Sequence, residues 1–533
     1  MNLRLLMVLA AAQFLMVLDQ AVMNVSISQL VADFDTTVTT IQAIIAFYAL
    51  VMAGLMLIGG KLGDIHGRKR IFKIGLVIYA AGSALTAASW SVASLAFGWS
   101  LLEGIGAAMV LPAMVALVAG NFEGKDRAVA YGVLGGMAGV GIAVGPILGG
   151  WMTTDFTWRY VFIGEVILAA GIFFGTRWML EPPMEGRRPK LDLVGGLLSA
   201  LGLAVIVLGV LQASNWGWLK PSNSPVEIFG FSLTPFVIIA GLILLGLFAS
   251  WERRREERGE DPLVHLGLLR IVPLRSGLSM MLAQNLILMG IFFTIPLYLQ
   301  VVLGFDAHDS GMRMLPTSAG LFFTALAGSA LASRFAPKKL VRLGLVVVFV
   351  SALMLVGTIE PSLDNTDFLI AMGVLGIGMG LIVSQLGNVA QSAVGDQDRS
   401  EAGGLQYTAQ QLGSSLGTAI LGAILITGLL AAFSGNVENH SAISDQTKSA
   451  VQKQLSSGGS FVSSDQVKQS AERAGISPQE TEAIVAGYED AQLQSLKLAL
   501  LFAALLVIPS FWSARNLPDR VLGEVEEEPA AAT

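Results

Sequence analysis

The chain has 533 residues, of which 54% are hydrophobic and only 14% are charged. Because soluble proteins carry about 25% charged residues, this deficit indicates a chain that is embedded mainly in lipid. The formal net charge of −6 is modest and gives no reason to expect a nucleic-acid partner. The absence of cysteine excludes disulfides, thiolate metal sites and cysteine nucleophiles.

Fourteen apolar segments are each about long enough to cross a bilayer. The sequence therefore predicts an all-α polytopic membrane protein with fourteen transmembrane helices. The first segment begins near Met1 without a small-residue cleavage site, so we expect an uncleaved span. The predicted spans are Leu5–Leu30, Ile41–Gly59, Ile71–Trp90, Val92–Val118, Val129–Gly150, Tyr160–Leu180, Leu193–Leu211, Ile228–Ser250, Ser276–Val302, Gly311–Ser333, Leu340–Ile359, Phe368–Val394, Leu405–Phe433 and Leu493–Trp512.

The distribution of basic residues predicts the orientation. With the N-terminus inside, most of the 33 Lys and Arg residues fall in cytoplasmic loops, as the positive-inside rule requires. An error of one span would invert every later loop and destroy this separation. We therefore expect a multi-pass protein of the cell membrane (cytoplasmic or inner) with both termini in the cytoplasm.

Three acidic residues are predicted to lie inside spans: Asp19 in the first, Glu103 in the fourth and Glu165 in the sixth. Burying a charge in hydrocarbon costs several kcal/mol or forces the group to become neutral. Such residues are therefore candidates for a functional site inside the membrane. The alternative is that each acid is protonated and only forms a hydrogen bond between helices.

A short basic turn, Gly60–Arg70, connects the second and third predicted spans. Asp64 can pair with an arginine there, and glycines permit close helix approach and a sharp reversal. The pattern G-x-L-x-D-x-x-G-R-K closely resembles the loop between helices 2 and 3 of major facilitator superfamily transporters. In that family the loop latches the cytoplasmic gate, which implies a gating role for Gly60, Asp64, Gly67, Arg68 and Lys69. The alternative is an ordinary basic loop that only sets orientation.

The fourth and sixth spans depart from the superfamily pattern. Gly104–Ala108 is intact, but Ser100 and Glu103 stand where the family has arginine and glutamine, and Glu165 stands where asparagine is common. The segment Leu18–Val25, which contains Asp19, resembles the first-span signature of the fourteen-span drug:proton antiporter branch. Together, the resemblance and the substitutions imply a rewired proton site at Asp19, Glu103 and Glu165.

The fifth span contains glycines four residues apart, which form a smooth face for close helix packing, and a proline that favours a kink. Its Gly-Pro-x-x-Gly-Gly ending resembles the antiporter motif of superfamily exporters. A generic packing face is the alternative. The motif residues are Gly141, Gly145, Pro146 and Gly149.

Polar and aromatic side chains within other spans could line a substrate cavity. The alternative for each of them is packing against neighbouring helices or lipid. The candidates are Asn24, Tyr48, Phe292, Gln300, Gln385, Asn388 and Gln410.

The family resemblance implies the major facilitator fold, with two six-helix bundles and two inserted helices. The interior linker Glu252–Asp261 is expected to be a solvated loop, and the long external loop to be either a helical hairpin or a linker. The predicted divisions are 1–180 for the first bundle, 181–275 for the linker with two extra spans, 276–513 for the second bundle with external loop 435–490, and 514–533 for an acidic cytoplasmic tail.

The expected function is proton-coupled antiport that exports hydrophobic or cationic small molecules, such as drugs, dyes and antibiotics, by alternating access. A dedicated exporter of a native lipid or metabolite fits equally well, and a proton-coupled importer is disfavoured by the fifth-span motif. A membrane enzyme is not expected, since the four histidines form no metal-spaced pair. The expected partners are a small-molecule substrate, protons and membrane lipids, with no cofactor or metal, and the protein is expected to be a monomer.

Overall fold

A computed structural model describes residues 2–122, 124–181, 190–221, 223–332, 334–395, 398–456 and 461–520. Within these ranges the protein is all-helical and forms no strand. Most of the predicted acidic tail, 521–533, lies outside the described residues. The fold class predicted from the sequence, an all-α polytopic membrane protein, is confirmed.

The first part of the chain forms eight α-helices, with a π-helical segment, Ala96–Glu103, inserted in the fourth predicted span. A 3₁₀ turn, Thr176–Trp178, follows the last of them. The helices are α1 Leu3–Val25, α2 Ile27–Asp33, α3 Val38–His66, α4 Arg68–Ala87, α5 Val92–Leu95, α6 Gly104–Asn121, α7 Gly124–Asp155 and α8 Arg159–Gly175.

The rest of the described chain contributes ten more α-helices. A 3₁₀ turn, Leu266–Arg270, precedes α11, and a second π-helical segment, Tyr298–Val302, follows it. The helices are α9 Leu193–Trp216, α10 Thr234–Glu257, α11 Val272–Leu297, α12 Ala307–Leu331, α13 Pro337–Thr358, α14 Asn365–Ser392, α15 Arg399–Asn439, α16 Asp445–Ser456, α17 Ser464–Arg473 and α18 Pro478–Ala514.

Thirteen helices in the described ranges are long and apolar enough to cross a membrane. The tenth predicted span corresponds to α12, a helix of 25 residues that is not among the thirteen. It nevertheless packs between α7 and α14. The structure is thus compatible with fourteen spans, and that number stays a prediction.

Helix packing joins the first part of the chain, α1–α8, to the second part, α11–α18. In the first part α1 packs on α7 and α4 packs on both α6 and α8; in the second, α11 packs on α15 and α12 on α14. Contacts between the parts run mainly through the α3–α15 and α7–α12 pairs. The additional pair, α9 and α10, packs together, and α9 also contacts α3 and α15.

The external loop is helical rather than a linker. It contains α16, α17 and the start of α18, which continues into the last predicted span. Ser463 caps α17 in a capping box with Gln466, and the side chain of Ser477 caps α18. Tyr488 of α18 packs edge-on against Phe433 of α15, with 5.1 Å between ring centroids.

Candidate functional site

The three acidic residues singled out from the sequence meet in the interior of the first part of the chain. Asp19 comes from α1, Glu103 from the π-helical segment and Glu165 from α8. One carboxylate oxygen from each lies within 4.8 Å of the others. The exposed fractions of the three residues are 0%, 0% and 2%. We call Asp19, Glu103 and Glu165 the acidic cluster.

One oxygen of each carboxylate in the acidic cluster accepts hydrogen bonds. Trp99 Nε1 donates to Asp19 Oδ1 at 2.7 Å, and Thr86 Oγ1 donates to Glu103 Oε1 at 2.9 Å. Tyr79 and Ser83 hydroxyls donate to Glu165 Oε2 at 3.1 and 3.2 Å.

The second oxygen of each carboxylate is buried and has no hydrogen-bond partner within the described part of the chain. None of the three forms an ion pair with a described residue. Three carboxylates this close in apolar surroundings cannot all carry a charge without compensation, since like charges at short range repel strongly. Shared protons would satisfy the unpartnered oxygens. An oxygen-only set of this kind could also accept a hard cation, although the sequence gives no metal motif.

Close backbone contacts bring the acidic cluster together. A Cβ atom at Gly82 of α4 would lie 2.6 Å from Glu103 Cγ, and one at Gly98 would lie 2.9 Å from Thr86 Oγ1. These two glycines therefore allow α4 to approach the π-helical segment. Such segments often occur at functional sites. The donors from α4 and Trp99 were not predicted from the sequence; their signal was polar or amphipathic side chains inside spans next to the acids.

Ser100 occupies the position where the family has an arginine in the fourth span. Its hydroxyl donates a 2.9 Å hydrogen bond to the carbonyl of Ile44 in α3. The site thus uses this position to connect two helices rather than to supply a cation.

A small cavity of about 20 Å³ lies beside the acidic cluster, between the two parts of the chain. It has room for about one water molecule. Trp99 separates it from the cluster, because this side chain bonds Asp19 and also lines the cavity. The lining residues are Gln20, Asn24, Ile45, Tyr48, Ala49, Trp99, Met289, Ser414 and Thr418.

Aromatic and amide groups close this cavity. The Tyr48 ring stacks on the Trp99 ring with 4.4 Å between centroids and 6° between planes. Gln20 Nε2 of α1 donates to Gln411 Oε1 of α15 at 3.0 Å and so links the two parts of the chain across the cavity.

The predicted cavity residues are spread more widely. Asn24 and Tyr48 line the small cavity, whereas Phe292 is buried in the core of the second part. Gln300 accepts a hydrogen bond from Ser28 and donates one to the carbonyl of Val25, near the C-terminal end of α1.

The other three lie on α14 and α15. Gln385 is buried and donates to the carbonyl of Gly328 at 3.0 Å. Asn388 is exposed, and Gln410 is half-buried with its carbonyl bonded to Ser414. These residues do not meet at one point in this conformation.

The fifth-span glycine motif contacts the turn of α1 that carries Asp19. A Cβ at Gly141 would lie 2.9 Å from Val17 Cβ, and one at Gly149 would lie 3.1 Å from Val22 Cα. Gly145 faces Ala21 even more closely, and the carbonyl of Pro146 meets Gly311 of α12. This face therefore holds α7 between the Asp19 turn and the second part of the chain.

The basic turn fixes the junction of α3 and α4. Gly67 has φ +100°, a conformation that favours glycine. Arg68 bonds Asp64 at 3.3 Å, as the sequence predicts, and also the carbonyl of Ala116 in α6 at 3.3 Å. Lys69 Nζ donates to the carbonyl of Met179 at 2.7 Å. Gly60 lies near Pro112 of α6.

The interior linker Glu252–Asp261 is exposed at Arg253, Arg254, Arg258 and Glu260, as expected for a solvated charge run, but it begins within α10 and its first residue is an exception. Glu252 is fully buried, and its Oε2 accepts the backbone N–H groups of Leu263 and Val264 at 2.7 and 3.1 Å. Charge alone suggested solvent exposure for Glu252, but backbone amides stabilise one oxygen of this buried carboxylate. We call residues 261–265 the linker strap.

The linker strap contacts both parts of the chain. Lys61 of α3 donates to the carbonyl of Pro262 at 2.8 Å, and His265 Nδ1 lies 2.9 Å from Glu401 Oε2 of α15. These contacts connect the inserted pair α9–α10 to the end of the protein that carries the basic turn, which is the predicted cytoplasmic end.

Comparison with known proteins agrees with this architecture. The family model of the Major Facilitator Superfamily matches residues 9–418. The chain is 32% identical over 431 residues to the "Probable actinorhodin transporter" of Streptomyces coelicolor, covering 79% of this chain and 72% of that protein. It is 31% identical over 436 residues to "Puromycin resistance protein pur8" of Streptomyces alboniger, covering 80% and 82%.

Solved structures show a similar fold. A bacterial homologue of the human lysosomal transporter Spinster, crystallised inward-facing and unoccupied, superposes with a TM-score of 0.61. The match covers 96% of this chain and 97% of that one at 15% sequence identity, so it supports the similarity of fold and nothing more.

Proposed function

The chain belongs to the Major Facilitator Superfamily of transporters, and we propose that it exports hydrophobic or cationic small molecules in exchange for protons. The observation that carries this proposal is the acidic cluster: three buried carboxylates within 4.8 Å, each with an unpartnered oxygen. Groups that can take up and release protons inside a membrane protein are the expected parts of a proton relay.

The position of Trp99 suggests how substrate and proton would be coupled. This side chain bonds Asp19 on one side and lines the central cavity on the other. A substrate that enlarges the cavity must displace the stacked pair of Trp99 and Tyr48, which would release Asp19 and change its proton affinity. Substrate binding and protonation of Asp19 would then compete through the side chain of Trp99.

Alternating access would supply the rest of the cycle. The two parts of the chain contact each other through α3–α15 and α7–α12, and rocking at these contacts would open the closed cavity to either side. A proton that moves inward gains about 2.3 kcal/mol per 100 mV of membrane potential, so even one proton per cycle drives export appreciably.

The relatives support the substrate class. Proteins named for puromycin resistance and for actinorhodin transport are more than 30% identical to this chain. The second of these names favours another candidate as well, a dedicated exporter of a native metabolite. Both candidates place the same acidic cluster in the coupling role and differ only in the range of substrates.

Transport by the purified protein in liposomes tests the proposal. With an imposed pH gradient, we expect a lipophilic cationic dye to move against its own gradient, and collapse of the pH gradient to stop it. A panel of dyes, antibiotics and lipids distinguishes a broad exporter from a dedicated one. Movement of the dye that ignores the pH gradient, or that follows the proton direction, would contradict antiport.

A further inference from the structure

A groove of about 530 Å³ runs along the outer surface of the protein between α4 and α8, away from the acidic cluster. Ile74 and Val77 in its wall are 40% and 54% exposed, so the groove is open to the surroundings of the helix bundle. Its lining residues are Lys69, Arg70, Lys73, Ile74, Val77, Ile78, Phe173 and Glu181.

The lining of the groove is ordered by polarity along α4. Its three cations occupy the first two turns, and the apolar residues Ile74, Val77 and Ile78 follow deeper along the same helix. At a rise of 1.5 Å per residue, the distance from Lys69 to Ile78 is about 14 Å. The cations come first and the apolar residues follow, which is the order in which a phospholipid presents its charged head group and its acyl chains.

The cations of the groove are largely uncompensated. Among the described residues, neither Arg70 nor Lys73 forms an ion pair, and Lys73 Nζ lies 4.8 Å from the centre of the Phe173 ring. Lys69 Nζ gives one hydrogen bond to a carbonyl and has further N–H groups to donate. Glu181 is the one acid in the lining, and it accepts the backbone N–H of Lys69 at 3.3 Å.

We propose that this groove binds an anionic phospholipid, with the phosphate among the three cations and one acyl chain along the apolar wall. Basic pockets between membrane helices at the bilayer surface favour anionic head groups by this chemistry. Because Lys69 also belongs to the basic turn, a bound lipid would contact the junction of α3 and α4.

The second part of the chain provides a matched control. Lys338, Lys339 and Arg342 stand at the start of α13 with the same spacing as the groove cations at the start of α4. Lys338 there pairs with Asp519 at 3.1 Å. A double substitution of Lys339 and Arg342 removes the same charge from an equivalent helix end outside the groove.

The test is native mass spectrometry of the purified full chain titrated with phosphatidylglycerol or with phosphatidylcholine. Each basic residue near the head group is expected to contribute about a factor of five, so R70Q/K73Q should lower affinity for phosphatidylglycerol roughly twentyfold to thirtyfold. K339Q/R342Q should lower it less than about threefold, and the charge-preserving R70K/K73R should bind like the original protein.

Two results would overturn the lipid site. One is an equal loss of affinity for phosphatidylglycerol in R70Q/K73Q and K339Q/R342Q. The other is equal affinity of the original protein for phosphatidylglycerol and phosphatidylcholine. Competition by inorganic phosphate alone would show an anion site without a lipid and would also contradict the proposal. If R70Q/K73Q is not monodisperse, K73Q compared with K73R gives the same comparison with one charge.

Discussion

The two parts of the chain bury different kinds of polar groups. The first part buries the acidic cluster, whereas 276–513, within its described residues, buries amides and hydroxyls but no carboxylate. Gln284, Gln300, Gln385 and Gln411 are examples. Amides and hydroxyls do not change charge, so they can connect helices but cannot carry protons at ordinary pH. Under the proposed function, proton movement would therefore take place in the first part, while the second part would serve packing, closure and substrate contact.

The largest expected effect comes from removing a group that can release and take up a proton in the acidic cluster. Glu165→Gln or Glu103→Gln mimics the protonated side chain, so we expect proton-driven export to fall by roughly a hundredfold. Equilibration of substrate down its own gradient should survive, because the amide keeps the shape of the site. The measurement is dye transport in liposomes with and without a pH gradient.

The control for this prediction lies in the other part of the chain. Gln492→Met removes a buried amide of similar size that donates to the carbonyl of Val462, and it should change export by no more than about threefold, apart from a loss of stability. Proton release on substrate addition to detergent-solubilised protein provides the second readout. Unchanged release in both glutamate variants would reduce these residues to structural hydrogen bonding and leave Asp19 as the carrier. Asp19→Asn is expected to weaken the binding of cationic substrates more than that of neutral ones.

A second comparison sets the basic turn against the related helix end in the second part. Asp64→Asn removes the charge that pairs with Arg68, which also donates to the carbonyl of Ala116, and we expect about tenfold slower transport with normal insertion. A tenfold change needs only about 1.4 kcal/mol in the gate equilibrium. Lys338→Gln breaks the exposed pair with Asp519 and should change transport less than twofold, since such pairs contribute about 0–1 kcal/mol.

Transport rates must be compared at equal amounts of protein in the membrane. Normal turnover by well-expressed Asp64→Asn protein would remove the gating role of the turn. An equal loss of transport rate in Asp64→Asn and Lys338→Gln would show that any charge change at this end of the protein slows transport.

Much of the architecture could be predicted from the sequence because span length and loop charge are local properties. The three acids could be identified for the same reason: a carboxylate inside an apolar run is conspicuous. The family resemblance implied that they form one site, but the spans alone could not show how they meet, since this depends on close contacts at Gly82 and Gly98 and on a π-helical segment. The burial of Glu252 was missed because its partners are backbone amides from a different segment, which side-chain composition does not reveal.

A third prediction concerns glycine faces in the two parts. An added Cβ at Gly145 would meet Ala21 beside Asp19, and one at Gly380 of α14 would lie 2.6 Å from the carbonyl oxygen of Leu321. Gly145→Ala and Gly380→Ala should each lower stability by about 1–3 kcal/mol through overpacking. Only Gly145→Ala should also alter substrate-induced proton release, because it displaces the turn that carries Asp19.

Gly135 provides the control for this comparison, since nothing lies within 4 Å of a Cβ added there. Thermal unfolding and proton release are measured on Gly145→Ala, Gly380→Ala and the control Gly135→Ala. Altered proton release in Gly380→Ala would show that the second part also shapes the proton site.

The smallest expected effect concerns an acid of the first part that lies outside the acidic cluster. Asp33, at the end of α2, is partly buried, which opposes ionisation, but hydrogen bonds from Trp158, Gln29 and Arg159 outweigh this and lower its pKa below the usual value. A carboxylate with a lowered pKa in the folded state stabilises the fold above the pKa of the unfolded chain, and this contribution is lost as pH falls through the folded-state pKa.

Asp33→Asn should therefore reduce thermal stability at pH 7 by about 0.5–1 kcal/mol, and the difference should shrink only below about pH 4. Export should be nearly unchanged, in contrast to the buried acids. A difference in stability between Asp33→Asn and the original protein that is independent of pH down to pH 3 would mean that packing, and not the charge of Asp33, holds α2 against Trp158.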